Sequence, residues 1–215
     1  MLGRILTGIL TVLLALGILA ASIFRSATVD SYAFSLPPTP APDSTPVLGD
    51  EDVFIDYYLA HPGGILPDSP LWFIKVIRDR LWLLVTANTE KKAELNLLFA
   101  DKRLVASKFL FENGKPELAF TTLVKAEGYL SEAHNLERKA NAQGNDTSQL
   151  LTKISKAALK HQEVVAGEIL SLAPSDAKPE IVKTKGISEG VFENTKHSLQ
   201  ERGLPVPPSP FEGEN

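Results

Sequence analysis

Residues 89–172 fall into three long stretches of helical periodicity, cut only by short breakers around Gly114–Pro116 and Gly144–Asp146. In the second stretch Ala119, Leu123, Ala126, Leu130 and Ala133 recur at alternating steps of four and three. That spacing aligns them on one narrow helix face. In the third, Leu150, Ile154, Ala157, His161 and Val164 do the same. Long amphipathic helices joined by loops this short must run antiparallel to their neighbours. No strand-like alternation competes. The pattern predicts an all-α domain, an antiparallel bundle of four to five helices preceded by an N-terminal transmembrane helix.

The helix ends carry their own signals. Thr89 suits the cap of the first stretch, Pro116 the start of the second, and Asp146 or Thr147 the start of the third, with Pro174 beyond its end. A weaker helix is expected over 179–202, diluted by Gly186 and Gly190. A short helical candidate covers 53–59. Between it and the first long stretch lies HPGGILPDSPLW at 61–72. Pro62, Gly63 and Gly64 break the chain there. Pro67, Asp68, Ser69 and Pro70 read as a helix start: Asp68 or Ser69 accepts from free N–H groups, and Pro70 occupies the first helical position. The helix that follows, LWFIKVIRDRLWLLV, is expected to be the central core helix of the bundle. The alternative is an interfacial helix that uses Trp72, Phe73 and Trp82, with Lys75, Arg78 and Arg80 as its basic face, against a membrane or a partner.

The other constraint on topology is at the N-terminus. Residues 5–24 carry no charge, and twenty residues of helix span about 30 Å, the hydrocarbon thickness of a bilayer. Arg4 precedes the run, while Asp30, Asp43, Asp50, Glu51 and Asp52 follow it. This asymmetry places the N-terminus in the cytoplasm and the rest outside. The run is a single-pass membrane anchor or, if removed near Ser31-Tyr32-Ala33, a signal segment that leaves a secreted product. Residues 1–25 are thus anchor or signal. Residues 26–50, with five prolines in FSLPPTPAPDSTPVLG, form a Pro/Ser/Thr-rich linker. Residues 51–202 form the extracytoplasmic helical domain, and 203–215 a disordered Pro-rich tail.

Function is expected to be non-enzymatic. Formal charge is −4, and Arg4 and Arg25 are the only charged side chains in the first 25 residues. The remainder is therefore more acidic still, which argues against nucleic acid. The absence of cysteine removes disulfides, thiol nucleophiles and thiolate metal sites. None of His61, His134, His161 and His197 follows a glutamate by three residues, so the di-iron spacing is missing and no metal or cofactor is expected. His161, on an apolar face, reads as a hydrogen-bonded core or rim residue. Glu90, Glu94 and Asp101, set among Lys91, Lys92, Lys102 and Arg103, read as solvated ion pairs. No catalytic residue is assigned.

Three runs carry a family resemblance: Pro62-Gly63 followed by Leu-Pro-Asp-Ser-Pro-Leu at 66–71 and an aromatic, Lys-Ala-Glu-Leu at 92–95, and Lys-Arg-Leu at 102–104. His-Gln-Glu-Val-Val at 161–165 matches more loosely. Over roughly 57–200 the chain resembles domain of unknown function 5667, found in exported or membrane-anchored prokaryotic proteins. The resemblance implies a helical extracytoplasmic domain and carries no catalytic residue or cofactor with it. The expected function is a protein-binding or scaffolding module in a prokaryotic cell envelope, with an envelope protein as partner besides the membrane held through 5–24. The alternative is an envelope stress sensor or chaperone-like module that binds exposed apolar segments.

Overall fold

The computed structural model describes residues 55–211. The expected membrane segment at 5–24 and the linker at 26–50 lie outside the described residues. Within them are five helices and no strand: α1 (Trp72–Val85), α2 (Thr89–Glu112), α3 (Pro116–Ala142), α4 (Ser148–Val164) and α5 (Lys178–Glu201). α4 runs on through a π-helical turn, Val165–Ile169, into a last turn, Leu170–Leu172. The wider π turn keeps Val164, Val165 and Ile169 all in the interior. Among the described residues no helix is long and apolar enough to cross a membrane.

The bundle is built from α2 to α5, with α2 packed on α3 and α4 on α5. The two predicted stripes are its seam. Ala119, Leu123, Ala126, Leu130 and Ala133 on α3 are fully buried, as are Ile154, Ala157 and His161 on α4. Each buried leucine contributes about 1.5–3 kcal/mol by leaving water. Ala at the intervening positions lets the backbones approach. Gly114 (φ 66°) and Gly144 (φ 89°) close α2 and α3 in the left-handed conformation. The next residues donate five positions back, Lys115 N–H to Leu110 O at 2.9 Å and Asn145 N–H to Ala140 O at 3.2 Å, so the last carbonyls are satisfied. Asn88, rather than the expected Thr89, caps α2, its side chain accepting from Lys91 N–H at 2.9 Å.

Three expectations change. Residues 55–59, expected as part of a short helix, are not helical: Tyr57 N–H donates to Ile55 O at 2.7 Å, and Ile55 joins the core cluster with Leu97 and Leu130. Residues 203–211, expected to be a disordered tail, lie against the bundle: Pro207 is buried and Phe211 packs on the core. And α1 is not the central helix. Asp79 is its one buried residue, and α2, ten residues longer, takes the central place.

Candidate functional site

α1 is reached through two tight turns. Ser69 N–H donates to Leu66 O, and Trp72 N–H donates to Ser69 O, both at 3.0 Å. Ser69 Oγ accepts from Leu71 N–H at 3.3 Å. The helix therefore begins at Trp72, two residues later than the proline signal predicts, and no side chain caps it. Asp68 instead takes a charged partner: Lys115, just before α3, lies 2.6 Å from its carboxylate and holds its pKa below the usual range. An ammonium outcompetes a backbone amide for a carboxylate. Pro67 and Pro70 shape the turn, and Pro70 is exposed. Lys75 fastens this turn to α1, donating to Pro62 O at 2.5 Å and Ile65 O at 3.2 Å.

The inner side of α1 rests on aromatic and cationic contacts. Arg103 of α2 lies between two rings, 5.5 Å from Trp72 and 4.8 Å from Tyr129. Trp82 meets Phe99 edge-on at 6.5 Å, and Phe99 meets Tyr129 at 5.8 Å. Asp79 faces inward and accepts from Arg78 at 2.6 Å. The predicted contact residues thus divide. Trp72 is a half-buried anchor on Arg103, Trp82 is half-exposed along one flank, and Phe73 faces solvent.

Phe73 has company. Leu71, Ile74, Leu81, Leu84 and Val85 are also exposed, from 44% for Leu81 to 74% for Val85. Beside the C-terminal half of α1 an open cleft of about 360 Å³ runs between α1, α2 and α3. Leu83, Leu84 and Leu136 form its apolar wall, and Arg80, Lys92 and Glu132 its polar rim. Two further cations, Lys125 and Lys75, lie outside the cleft lining. Burial, with Arg103 and Arg80 nearby, pushes the Lys125 pKa down. Burial likewise lowers Lys75, against the pull of Asp79 and with Lys102, Arg103 and Arg78 adding to it. The arrangement can seat an apolar group and hold an anionic neighbour.

A second cluster lies inside the bundle. His161 is fully buried, with Nδ1 2.8 Å from Glu127 of α3 and Nε2 3.4 Å from Asp101 of α2. Tyr57, from the non-helical segment before α1, donates to the other Asp101 oxygen at 2.8 Å. Burial alone would lower the His161 pKa, but the two carboxylates outweigh it and hold it at about 9. Burial and the Asp101 charge push the Tyr57 hydroxyl far up. Asp101 is therefore not the solvated ion pair expected from its neighbours in sequence. The helix turns Lys102 away and Asp101 inward, next to Leu97 and Leu104. Glu127 sits on the α3 seam between Leu123 and Leu130, and this register is the signal that could have exposed it. His161 and Glu127 are fully out of solvent, and the cluster joins α2, α3, α4 and the segment that carries Tyr57. Among the described residues no group of three or more acids and histidines is arranged to hold a metal ion. At the far end of α3, Arg202 donates to Glu137 at 2.9 Å and to Thr147 at 3.1 Å, tying the end of α5 to the α3–α4 turn.

A family model described as a domain of unknown function, DUF5667, matches residues 64–171. The chain belongs to this family. The DUF5667 match starts in the turn before α1 and ends just past the π turn, a shorter span than the 57–200 suggested by resemblance. It takes in α1 and leaves α5 outside, although α5 packs closely on α4. No curated protein and no solved structure matches the chain.

Proposed function

We propose that this DUF5667 chain is a non-enzymatic, membrane-anchored helical module, held outside the cytoplasm of a prokaryotic cell, that binds a protein partner and acts as a scaffold. The anchoring rests on the uncharged run at 5–24 and its flanking charges. The binding rests on one observation: the apolar cleft beside α1, walled by Leu83, Leu84 and Leu136 and open to solvent. A concave site with an apolar wall and a few polar groups at its rim is the arrangement that seats an apolar side chain. The bundle beneath is tightly packed and pinned by buried ionic contacts, so it can present the cleft as a rigid edge.

The test is a photo-crosslinking residue in place of Leu84, in the full chain, in cells. A control chain carries it at Ile187, an exposed position on α5. A discrete crosslinked product from Leu84, absent from Ile187, is expected. Equal, weak products from both sites would refute the reading. The exposed apolar face also favours a second reading, a chaperone-like module for exposed apolar segments. That reading predicts many unrelated products from Leu84 in place of one.

A further inference from the structure

We propose that the outward face of α1 lies in the headgroup layer of an anionic phospholipid bilayer, so that the domain rests on the membrane surface. This goes beyond the cleft reading: Leu84 and Arg80 belong to both surfaces, so a bilayer and a protein partner compete there, while Phe73, Ile74, Ile77 and Leu81 lie outside the cleft lining.

At 100° per residue, Phe73, Leu84, Ile77, Leu81, Ile74 and Val85 fall within a sector of about 120°. All are exposed except Ile77, which is half-buried. The sector contains no polar residue. Arg80 falls just beyond one edge of it and Arg78 just beyond the other, each about 20° outside. The single acid of the helix, Asp79, is turned inward and buried. Asp79 accepts from Arg78 Nε and Nη2, so one border base is partly neutralised, but Lys75, Arg78 and Arg80 against this one acid leave the helix a positive excess, the sign that suits an anionic surface. The long stem of Arg80 can lie along the apolar layer while its guanidinium group meets phosphate, and Arg78 keeps Nη1 clear of its bonds to Asp79.

Length fixes the mode. Fourteen residues make a helix of about 21 Å, short of the roughly 30 Å needed to cross. α1 can therefore lie on a bilayer but not span it. From the end of the expected anchor to Ile55 are about 30 residues, a contour length of at most about 100 Å.

The chain's only two tryptophans, Trp72 and Trp82, are both on α1, and the expected anchor has none. The experiment is tryptophan fluorescence of the full chain reconstituted in vesicles. The vesicles are phosphatidylcholine alone, or phosphatidylcholine mixed with phosphatidylglycerol, each with plain or brominated acyl chains. Because Trp72 and Trp82 lie outside the sector, the reporter is a Phe73→Trp variant: brominated lipid is expected to quench its emission in the anionic vesicles, and to quench the native chain much less. Replacing Arg78 and Arg80 by Gln should lower the docked-to-free ratio about fivefold for each base removed. Ile74→Asp with Leu81→Asp, at exposed positions that leave the bundle intact, should abolish the quenching. Emission indifferent to bromination in both lipid mixtures would overturn the proposal. A shift that appears only when envelope protein is added, without bromine quenching, would assign the face to a protein and overturn it equally.

Discussion

His161→Gln is the perturbation that probes the interior most sharply. In the native chain an imidazolium lies between Glu127 and Asp101, all three out of water. Glutamine keeps the approximate volume and can still donate a hydrogen bond, but it removes the positive charge. Two carboxylates then remain buried without a cation. Removing one partner from a buried ionic group costs about 3–5 kcal/mol, because the other is left uncompensated. A domain of this size has about 5–15 kcal/mol in total, so the variant should lose a large share of its stability. For a domain of about 150 residues that corresponds to a fall in Tm of roughly 6–20 °C. The assay is urea and thermal unfolding followed by circular dichroism, on the full chain in detergent. His161→Leu combined with Asp101→Asn and Glu127→Gln removes every charge at once and should recover most of the loss. pH provides an internal control. The native His161 pKa of about 9 is above the ordinary value of 6.5. Its contribution is therefore complete below about 6.5 and is lost as pH rises through about 9. The gap between native chain and variant should narrow over that interval. A His161→Gln chain within about 1 kcal/mol of the native one at pH 7 would refute the ionic account of the core.

Other perturbations test the rest of the frame. Asn88→Ala removes the α2 cap and should cost about 1 kcal/mol in chemical denaturation. The two kinds of glycine should respond with opposite sign. Gly114→Ala, at φ 66°, should destabilise by about 1–2 kcal/mol. Gly186→Ala, on an exposed part of α5 with its nearest neighbour at an ordinary 3.8 Å, should stabilise by roughly 0.5–1 kcal/mol. Asp68→Ala and Lys115→Ala should each cost less than about 1 kcal/mol, and the double variant should cost no more than the larger single one. Full additivity in that cycle would mean that the 2.6 Å pair does not join the turn to α3.

Much of the bundle was legible in sequence because α3 and α4 separate apolar from polar residues cleanly, and because Gly114, Pro116, Gly144 and Pro174 mark where helices stop and start. The place of α1 was not legible. Its apolar residues lie nearly all round the helix, and a helix of that kind is as consistent with a core as with a surface. Only its length of 14 residues against 24 for α2, and the inward turn of Asp79, decide the matter. Asp68 misleads for a related reason. Local spacing makes it a cap, and Lys115, 47 residues away, takes it. The His161 cluster joins residues up to 60 positions apart, with Tyr57 farther still along the chain, and no local pattern pairs them. What each position did show was a titratable side chain on an apolar seam, which is a demand for a buried partner.

The account's central claim is that α1 is covered in the cell while the rest of the domain is exposed outside it. The chain has no cysteine, so single cysteines can be read without background. The decisive measurement places one at Ile74, Leu84 or Ile187 and reacts intact cells with a membrane-impermeant maleimide. The account predicts rapid labelling at Ile187, slow labelling at Ile74 and Leu84, and equal rates at all three once detergent is added. Ile74 and Leu84 labelling as fast as Ile187 in intact cells would contradict a covered α1. Labelling at Ile187 only after lysis would contradict the extracytoplasmic placement.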